Sequence, residues 1–466
     1  MKINLVGETF QQRSLPFNAQ RTINFFPVYD KDGKEVSALY GTAGMVEFGN
    51  AGAQGHRQSF TSSNGRCFFV AGSALYEVFA DGSTVDRGAL LTSTGNVSID
   101  ENNVQLGVCD GTSLYTMTYA DNAFAQVTDS DLPESVGFLT VIDNYFVVNE
   151  NNSGRFFISS ISDGTAWDAL DFATAESNPD ELKCVKNALG QLWLIGDKTT
   201  EIWTNTGASA FPFGRISGAI MEVGVIAPHS VQDVDNSLVW LGQDQYGSGI
   251  VYRAQGFTPQ PISSEPVNLL IAKATSPEEI TSWVYQEDGH TFYALTGGGL
   301  ETTLVYDMSV GQWHERSYNN GGDLAPHLAQ CCTFAFGKQL VGDRRNGKIY
   351  ELSLDYYDDA GESIVSERIY THLSDMDRRI RYNRLDISME VGVGNQTGEG
   401  VNPLISMQLS KDGARTWSNW FNTPIGKIGQ YQTKVSFRRL GITEQMTFKI
   451  RISDPIKKAL TGSYLS

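Results

Sequence analysis

Short apolar runs alternate with Gly/Asp/Asn turns through most of the chain, and the alternation recurs as a unit. Each copy is an apolar strand, a tight turn and a second strand carrying an aromatic residue. The copies are "RCFFVAGSALYEVFADG", "VQLGVCDGTSLYTMTYADN", "DNYFVVNENNSGRFFISSISDGTAW", "GQLWLIGDKTTEIWTNTG", "NSLVWLGQDQYGSGIVYRAQG", "HTFYALTGGGLETTLVYDMSVGQWHE" and "KQLVGDRRNGKIYELS". Their aromatic markers, Tyr76, Tyr115, Phe157, Trp203, Tyr252, Tyr306 and Tyr350, lie 39, 42, 46, 49, 54 and 44 residues apart. A strand-built period of roughly 40–50 residues is the sequence signature of propeller blades. One blade cannot bury both faces of its sheet, and a ring of blades does so without leaving long open edges. Beyond residue 365 the pattern changes to alternating strands, "RYNRLDISMEVGV", "PLISMQLSKDGARTWSNW" and "QMTFKIRISD", the period-2 signature of an antiparallel sandwich.

The fold expected is therefore all-β. Residues 1–50 form an N-terminal arm that docks on a neighbour or closes the ring. Residues 51–360 form a β-propeller of about seven blades, with six or eight also fitting the divergent copies. Residues 361–466 form a C-terminal antiparallel β-sandwich. Helix is scarce. Ser276, Pro277 and Glu279 in "ATSPEEITSW" suit an N-cap, N1 and capping-box position, and with the preceding "VNLLIAKA" they suggest a helical insertion near 266–285, in the longest interval.

Composition adds two points. The net charge is −18, from 35 Lys/Arg and 53 Asp/Glu, which disfavours unspecific adhesion to nucleic acid or anionic membrane. The charge is segregated: residues 361–466 hold 15 basic and 10 acidic residues, and the other 360 hold 20 basic and 43 acidic. Cys67, Cys109, Cys184, Cys331 and Cys332 are odd in number and irregular in spacing, unlike a disulfide framework. No CxxC or Cys/His cluster suggests a metal, no cofactor motif occurs, and no run of apolar residues approaches the length of a membrane helix.

Candidate chemistry is sparse. Ser410, Asp412, Thr416 and Trp417 in "SKDGARTW" match an Asp-box, the turn repeated in sialidases, with Ala414 at the glycine position and Gly413 one place early. The reading favoured is structural: the carboxylate caps a hairpin turn and the indole fixes it. A sialidase would also repeat the box and supply an arginine triad, a Tyr/Glu pair and an acid Asp, which the sequence does not assemble. Paired carboxylates such as Asp358 and Asp359 occur by chance in so acidic a chain. "TGGGLETT" reads as a hairpin turn rather than a phosphate cradle. Arg378, Arg379, Arg381 and Arg384 in "DMDRRIRYNR", supplemented by "SFRRL" and "ISDPIKK", form a basic cluster open to two readings, a phosphate or partner contact and ion pairs with the acidic body. No catalytic residue is assigned, and the chain is not expected to be an enzyme.

Several phrases in order carry a resemblance. "FNAQRTINFFPV" followed by "LYGTAGMVEFG", then "TTEIWTNTGASAFPFGRISGAIMEVGVIAPHSV", then "LVYDMSVGQWHERS", then "RRIRYNRLDISMEVGVG…LSKDGARTWS…RRLG" together resemble the packaged-DNA stabilisation proteins, or tail accessory factors, of short-tailed bacteriophages. The resemblance covers most of the chain. It implies a virion tail protein, made in the host bacterial cytoplasm. Six copies would form a ring below the portal and its adaptor, retain packaged DNA, and let it leave through a central channel without sequence-specific binding. Tail spikes or fibres would attach around the ring. The alternatives held open are a sialidase-like glycoside hydrolase and a non-catalytic carbohydrate- or protein-binding propeller.

Overall fold

A computed structural model describes residues 1–30, 36–175, 180–243, 247, 249–375 and 378–466. Part of the turn in "GQDQYGSG" and residues 376–377 of the basic phrase "DMDRRIRYNR" lie outside the described residues.

Seven antiparallel four-stranded sheets follow one another along the chain and around an axis. Blade one spans residues 56–89, blade two 98–126, blade three 136–174, blade four 182–221, blade five 224–261 and blade six 280–320. In blade five, Gly224–Val225 and Gln232–Asp233 share one edge of Leu238–Gln243. Blade seven takes three strands from residues 329–353, and its fourth is Gly44–Asn50 from the N-terminal region, paired with Lys348–Ser353. The innermost strand of blade seven, Ala329–Ala335, packs against that of blade one, His56–Thr61, which closes the ring. All seven aromatic markers fall on the third strand of a blade, so the repeat read from sequence is each blade's second and third strands. Those strands are apolar on both faces because each is covered by neighbouring blades, as in Cys67–Ala71 and Gln105–Cys109, where every residue is buried.

The helical insertion expected near 266–285 is smaller and occupies only the start of that span. The helix covers Glu265–Ile271, Pro277–Glu279 is a single 3-10 turn, and Ile280–Glu287 is the innermost strand of blade six. Ser276 makes no side-chain cap. Of the residues Ile280 to Tyr285, five of six are β-branched or aromatic and five of six are buried, so ring packing overrides the capping signal. "TGGGLETT" is a turn, with Gly297, Gly298 and Gly299 all at positive φ. A Cβ on Gly298 would stand 2.6 Å from the Ser276 carbonyl oxygen, so only glycine lets this turn close on the 3-10 segment.

The sandwich is not confined to residues 361–466. One sheet joins Phe25–Tyr29, Ser37–Gly41, Ala459–Leu465, Ile380–Met389 and Val435–Thr443 in that order, with Lys2–Ile3 also on Ala459–Leu465. The other joins Ala19–Ile23, Ser366–Ile369, Gln445–Ile452, Leu404–Ser410 and Phe421–Pro424. Ala19–Ile23 also meets the outer strand of blade six, Gln312–Asn320, in parallel at Ile23 and Glu315, so one hydrogen-bonded sheet runs from propeller to sandwich. Strand alternation sends Phe25 (0% exposed) into the sandwich core with Leu385 and Phe448, and Phe26 (2% exposed) into the blade six and seven core with Phe292 and Trp283.

Several polar groups buried at this junction are matched. Arg368 donates to the Leu5 carbonyl at 2.8 Å, to Thr22 Oγ1 at 2.8 Å and to Gln20 Oε1 at 2.7 Å. Arg21 forks onto Glu315. Asn24, at positive φ, donates to the carbonyls of Ser317 and Val365 at 2.8 and 2.9 Å. Lys458 donates to the Ile364 carbonyl at 2.6 Å, and burial pushes its amine down to about 7. All five cysteines are free thiols, and four are buried.

Candidate functional site

The Asp-box-like turn is built as its residue types suggest. Asp412 Oδ1 accepts the Ser410 hydroxyl at 2.7 Å and the backbone N–H groups of Arg415 and Thr416 at 3.1 and 2.9 Å. Asp412 Oδ2 accepts the Thr416 hydroxyl. These bonds, the Thr416 hydroxyl first, hold the carboxyl well below the usual range. Ala414 sits at φ 66°, where the box normally has glycine, and Gly413 beside it at φ 74° is pressed against Pro16. Trp417 packs with Leu15, Ala19 and Ile369, and Lys449 Nζ stands 4.4 Å from its ring centroid. The turn therefore clamps the N-terminal region onto the sandwich, and its carboxylate is committed to the turn's own donors.

The basic cluster is exposed, and its ion pairs are local. Arg384 reaches Asp386 at 2.8 Å and Arg379 reaches Glu444 at 3.5 Å, both partners lying in the sandwich rather than in the acidic propeller. Arg378 and Arg381 face solvent. Two arginines of "SFRRL", Arg438 and Arg439, complete the surface. Val435–Thr443 pairs with Ile380–Met389 so that Arg438 stands directly opposite Arg384. The register shifts beside this pair, and Arg439 takes φ 62°, so Arg438 and Arg439 are both exposed. The legible signal was "RR" within an otherwise alternating strand.

A third candidate is the funnel at the propeller axis, at the end where the innermost strands begin. It encloses about 640 Å³ and is lined by His56, Arg57, His229, Gln330, Arg344 and Arg345 among others, with Glu278 and Glu279 at the rim. Arg57 is held by carbonyls, donating to Gly95 at 2.7 Å, Gly72 at 3.0 Å and Thr92 at 2.9 Å. Arg345 pairs with Asp343, and Arg344 donates to the Pro326 carbonyl at 2.9 Å. Burial pushes both His56 and His229 down to about 4, so both are neutral at pH 7. The described lining residues include no tyrosine for the Tyr/Glu pair of a sialidase. Asp358 and Asp359 do not form a glycosidase pair either: Asp358 accepts the Gly361 N–H, while Asp359 is buried 3.8 Å from His327. Among the described residues no group of three or more His, Cys, Asp or Glu could hold a metal ion.

Two family models match the chain in succession. Residues 1–357 match "Bacteriophage P22 Gp10, beta-propeller", and residues 367–466 match "Bacteriophage P22 Gp10, beta-sandwich". No curated protein matches significantly. Among solved structures the chain is similar to the computationally designed Ika8 protein, at 14% identity over 67% of this chain and 99% of that one, with a TM-score of 0.39. It is also similar to the extracellular domain of the putative one component system BT4673 from B. thetaiotaomicron, at 10% identity and a TM-score of 0.45. That match covers 90% of this chain and 58% of the other, so the chain spans little more than half of it.

Proposed function

The chain belongs to the bacteriophage P22 Gp10 family of short-tailed phage tail proteins, and from that premise we propose that it is a non-catalytic tail nozzle. Several copies assemble as a ring below the portal and adaptor, close the tail over packaged DNA, and form the channel through which the DNA leaves. Spikes or fibres dock around the ring. The axial funnel of one propeller is the size of a small-molecule pocket, so the DNA channel runs between copies rather than through a blade ring.

The observation that carries the reading is the joint match of both family models in the order of the chain, and the surface charge fits it. Residues 51–174, blades one to three, hold 15 Asp/Glu and only four Lys/Arg. All four cations are engaged: Arg57 by carbonyls, Arg66 and Arg87 by Glu77, and Arg155 by Glu150. Carboxylates there remain in large excess. A duplex passing such a wall finds no cation to displace its counterions, so the acidic propeller lets DNA slide. Imaging of assembled particles tests the placement, and a position away from the tail end overturns it. Replacing exposed carboxylates of blades one to three by lysine should slow DNA release; unchanged release kinetics count against the sliding role. Hydrolysis of cell-surface polysaccharide by the purified chain would favour the glycosidase alternative instead.

A further inference from the structure

Two exposed surfaces on different domains carry opposite charge, and both are made by breaking a regular strand. The first is the arginine ribbon of Ile380–Met389 and Val435–Thr443. Like charges directly across a strand pair repel, yet Arg384 faces Arg438. A regular strand shows alternate side chains to solvent, yet the bulge at Arg439 brings out two consecutive arginines. Among the described residues no carboxylate lies within ion-pair distance of Arg381, Arg438 or Arg439. Ile442, 53% exposed, stands beside them on the last strand of its sheet.

The second surface is the outer strand of blade three, Asp163–Thr174, the longest strand among the described residues and paired on one side only. Its register jumps: Phe172 faces Phe157 and Trp167 faces Ser159, so residues 168–171 stand opposite Ile158 alone and are thrust out of the ladder. The protrusion carries Asp168, Leu170 (81% exposed) and Asp171. Burial and the neighbouring Asp168 hold the Asp171 carboxyl above its ordinary range, the condition of an acid lacking a cation.

We propose that the arginine ribbon of one copy docks on the acidic blade-three protrusion of the next copy, with Ile442 and Leu170 as the apolar centre and Arg381, Arg438 and Arg439 against Asp168 and Asp171. The inference rests on the ring reading and gives it a surface. A basic ribbon cannot meet another ribbon across a two-fold axis, nor can one acidic protrusion meet another. Repeated from copy to copy, the contact is heterologous and head-to-tail, the kind that closes into a ring. A reciprocal pair, with each ribbon on the other copy's protrusion, would stop at a dimer, and a dimeric end-point in sedimentation overturns the head-to-tail contact. Guanidinium forks suit carboxylates in this geometry.

Sedimentation of the full chain over a wide concentration series, at low and high salt, tests the contact. Three proteins are compared: the natural chain, a triple variant Arg381→Glu/Arg438→Glu/Arg439→Glu, and a double variant Asp168→Lys/Asp171→Lys. All changes are at the surface, and unchanged circular dichroism and melting confirm folding. The natural chain is expected to associate at low salt and dissociate at high salt, each variant alone to stay monomeric, and an equimolar mixture of the variants to associate again. Leu170→Ser should weaken association at every salt concentration. A natural chain that associates while either variant associates equally overturns the contact and leaves the ring standing. A natural chain that stays monomeric throughout overturns the ring reading and the contact with it. Duplex DNA is added in a parallel arm. If the arginine variant loses DNA binding but keeps self-association, the ribbon is a nucleic-acid surface and the proposal fails.

Discussion

Blades two to four and the sandwich bury apolar strands by opposite means. Each of those blades is one contiguous run of four strands, and its neighbours in the ring are its neighbours in sequence. The sandwich is assembled from both ends of the chain. Its core holds Ile3, Leu5, Val6, Phe25 and Leu39 beside residues 370–465, and its two sheets take five strands from the first 41 residues, Phe10–Gln11 on Ala19–Ile23 included. Local contacts dominate one region and long-range contacts the other, so the two should differ in autonomy, folding order and response to mutation.

The largest effect concerns autonomy. Residues 367–466 alone, the span matched by the sandwich family model, should not fold. They lack Lys2–Ile3, Phe25–Tyr29 and Ser37–Gly41 from one sheet and Ala19–Ile23 from the other. Circular dichroism and amide-proton dispersion decide it; a cooperative, well-dispersed fragment breaks the contrast. Next come the adjacent phenylalanines. Phe25→Ala and Phe26→Ala should each cost about 3–5 kcal/mol, but in different places. Hydrogen exchange should show Phe25→Ala loosening residues 380–389 and 459–465, and Phe26→Ala loosening blades six and seven. Identical patterns would mean that the junction has a single core.

A smaller effect is a pH dependence. Lys458 has its amine pushed from 10.5 down to about 7 by burial. Between those values the unfolded chain binds a proton that the folded chain does not, so this group's contribution to stability rises with pH across that window and falls as pH drops toward 7. Lys458→Met should remove that slope in denaturant titrations, and an unchanged slope would place its origin elsewhere. The smallest effect is at the Asp-box-like turn. Asp412→Ala should cost about 1 kcal/mol. The carboxyl is held below its ordinary range, so the contribution is present at neutral pH and lost in acid. Losing the clamp should also speed proteolysis of the segment around Leu15, whereas Thr165→Ala near the start of the outer strand of blade three should leave that segment unchanged.

Much of this was legible in the residues. The markers from Tyr76 to Tyr350 pointed to about seven blades, with six or eight still open, because each blade repeats the same buried strand pair. The turn at Asp412 was legible because its bonds reach only four residues along the chain. The helical insertion expected near 266–285 is helical only in its first part, Glu265–Ile271, because after Ser276 a capping signal of about 1 kcal/mol competes with burial of Ile280, Trp283 and Tyr285 in the ring. The surface role of Arg438 and Arg439 was nearly invisible. A bulge is a relation between two strands, and neither strand announces it alone.

By itself, then, the order of amino acids determined the all-β class, a repeat of about seven blades, the change of pattern near residue 365 and the split between an acidic body and a basic C-terminal segment. Each of these is carried by spacing or by counting within short windows. Only the tertiary structure decided that Gly44–Asn50 closes blade seven, that Phe25 and Phe26 serve separate cores, and that Arg384 confronts Arg438. Those contacts join residues tens to hundreds of positions apart, and the free energy that selects them appears only when distant segments exclude water from one another.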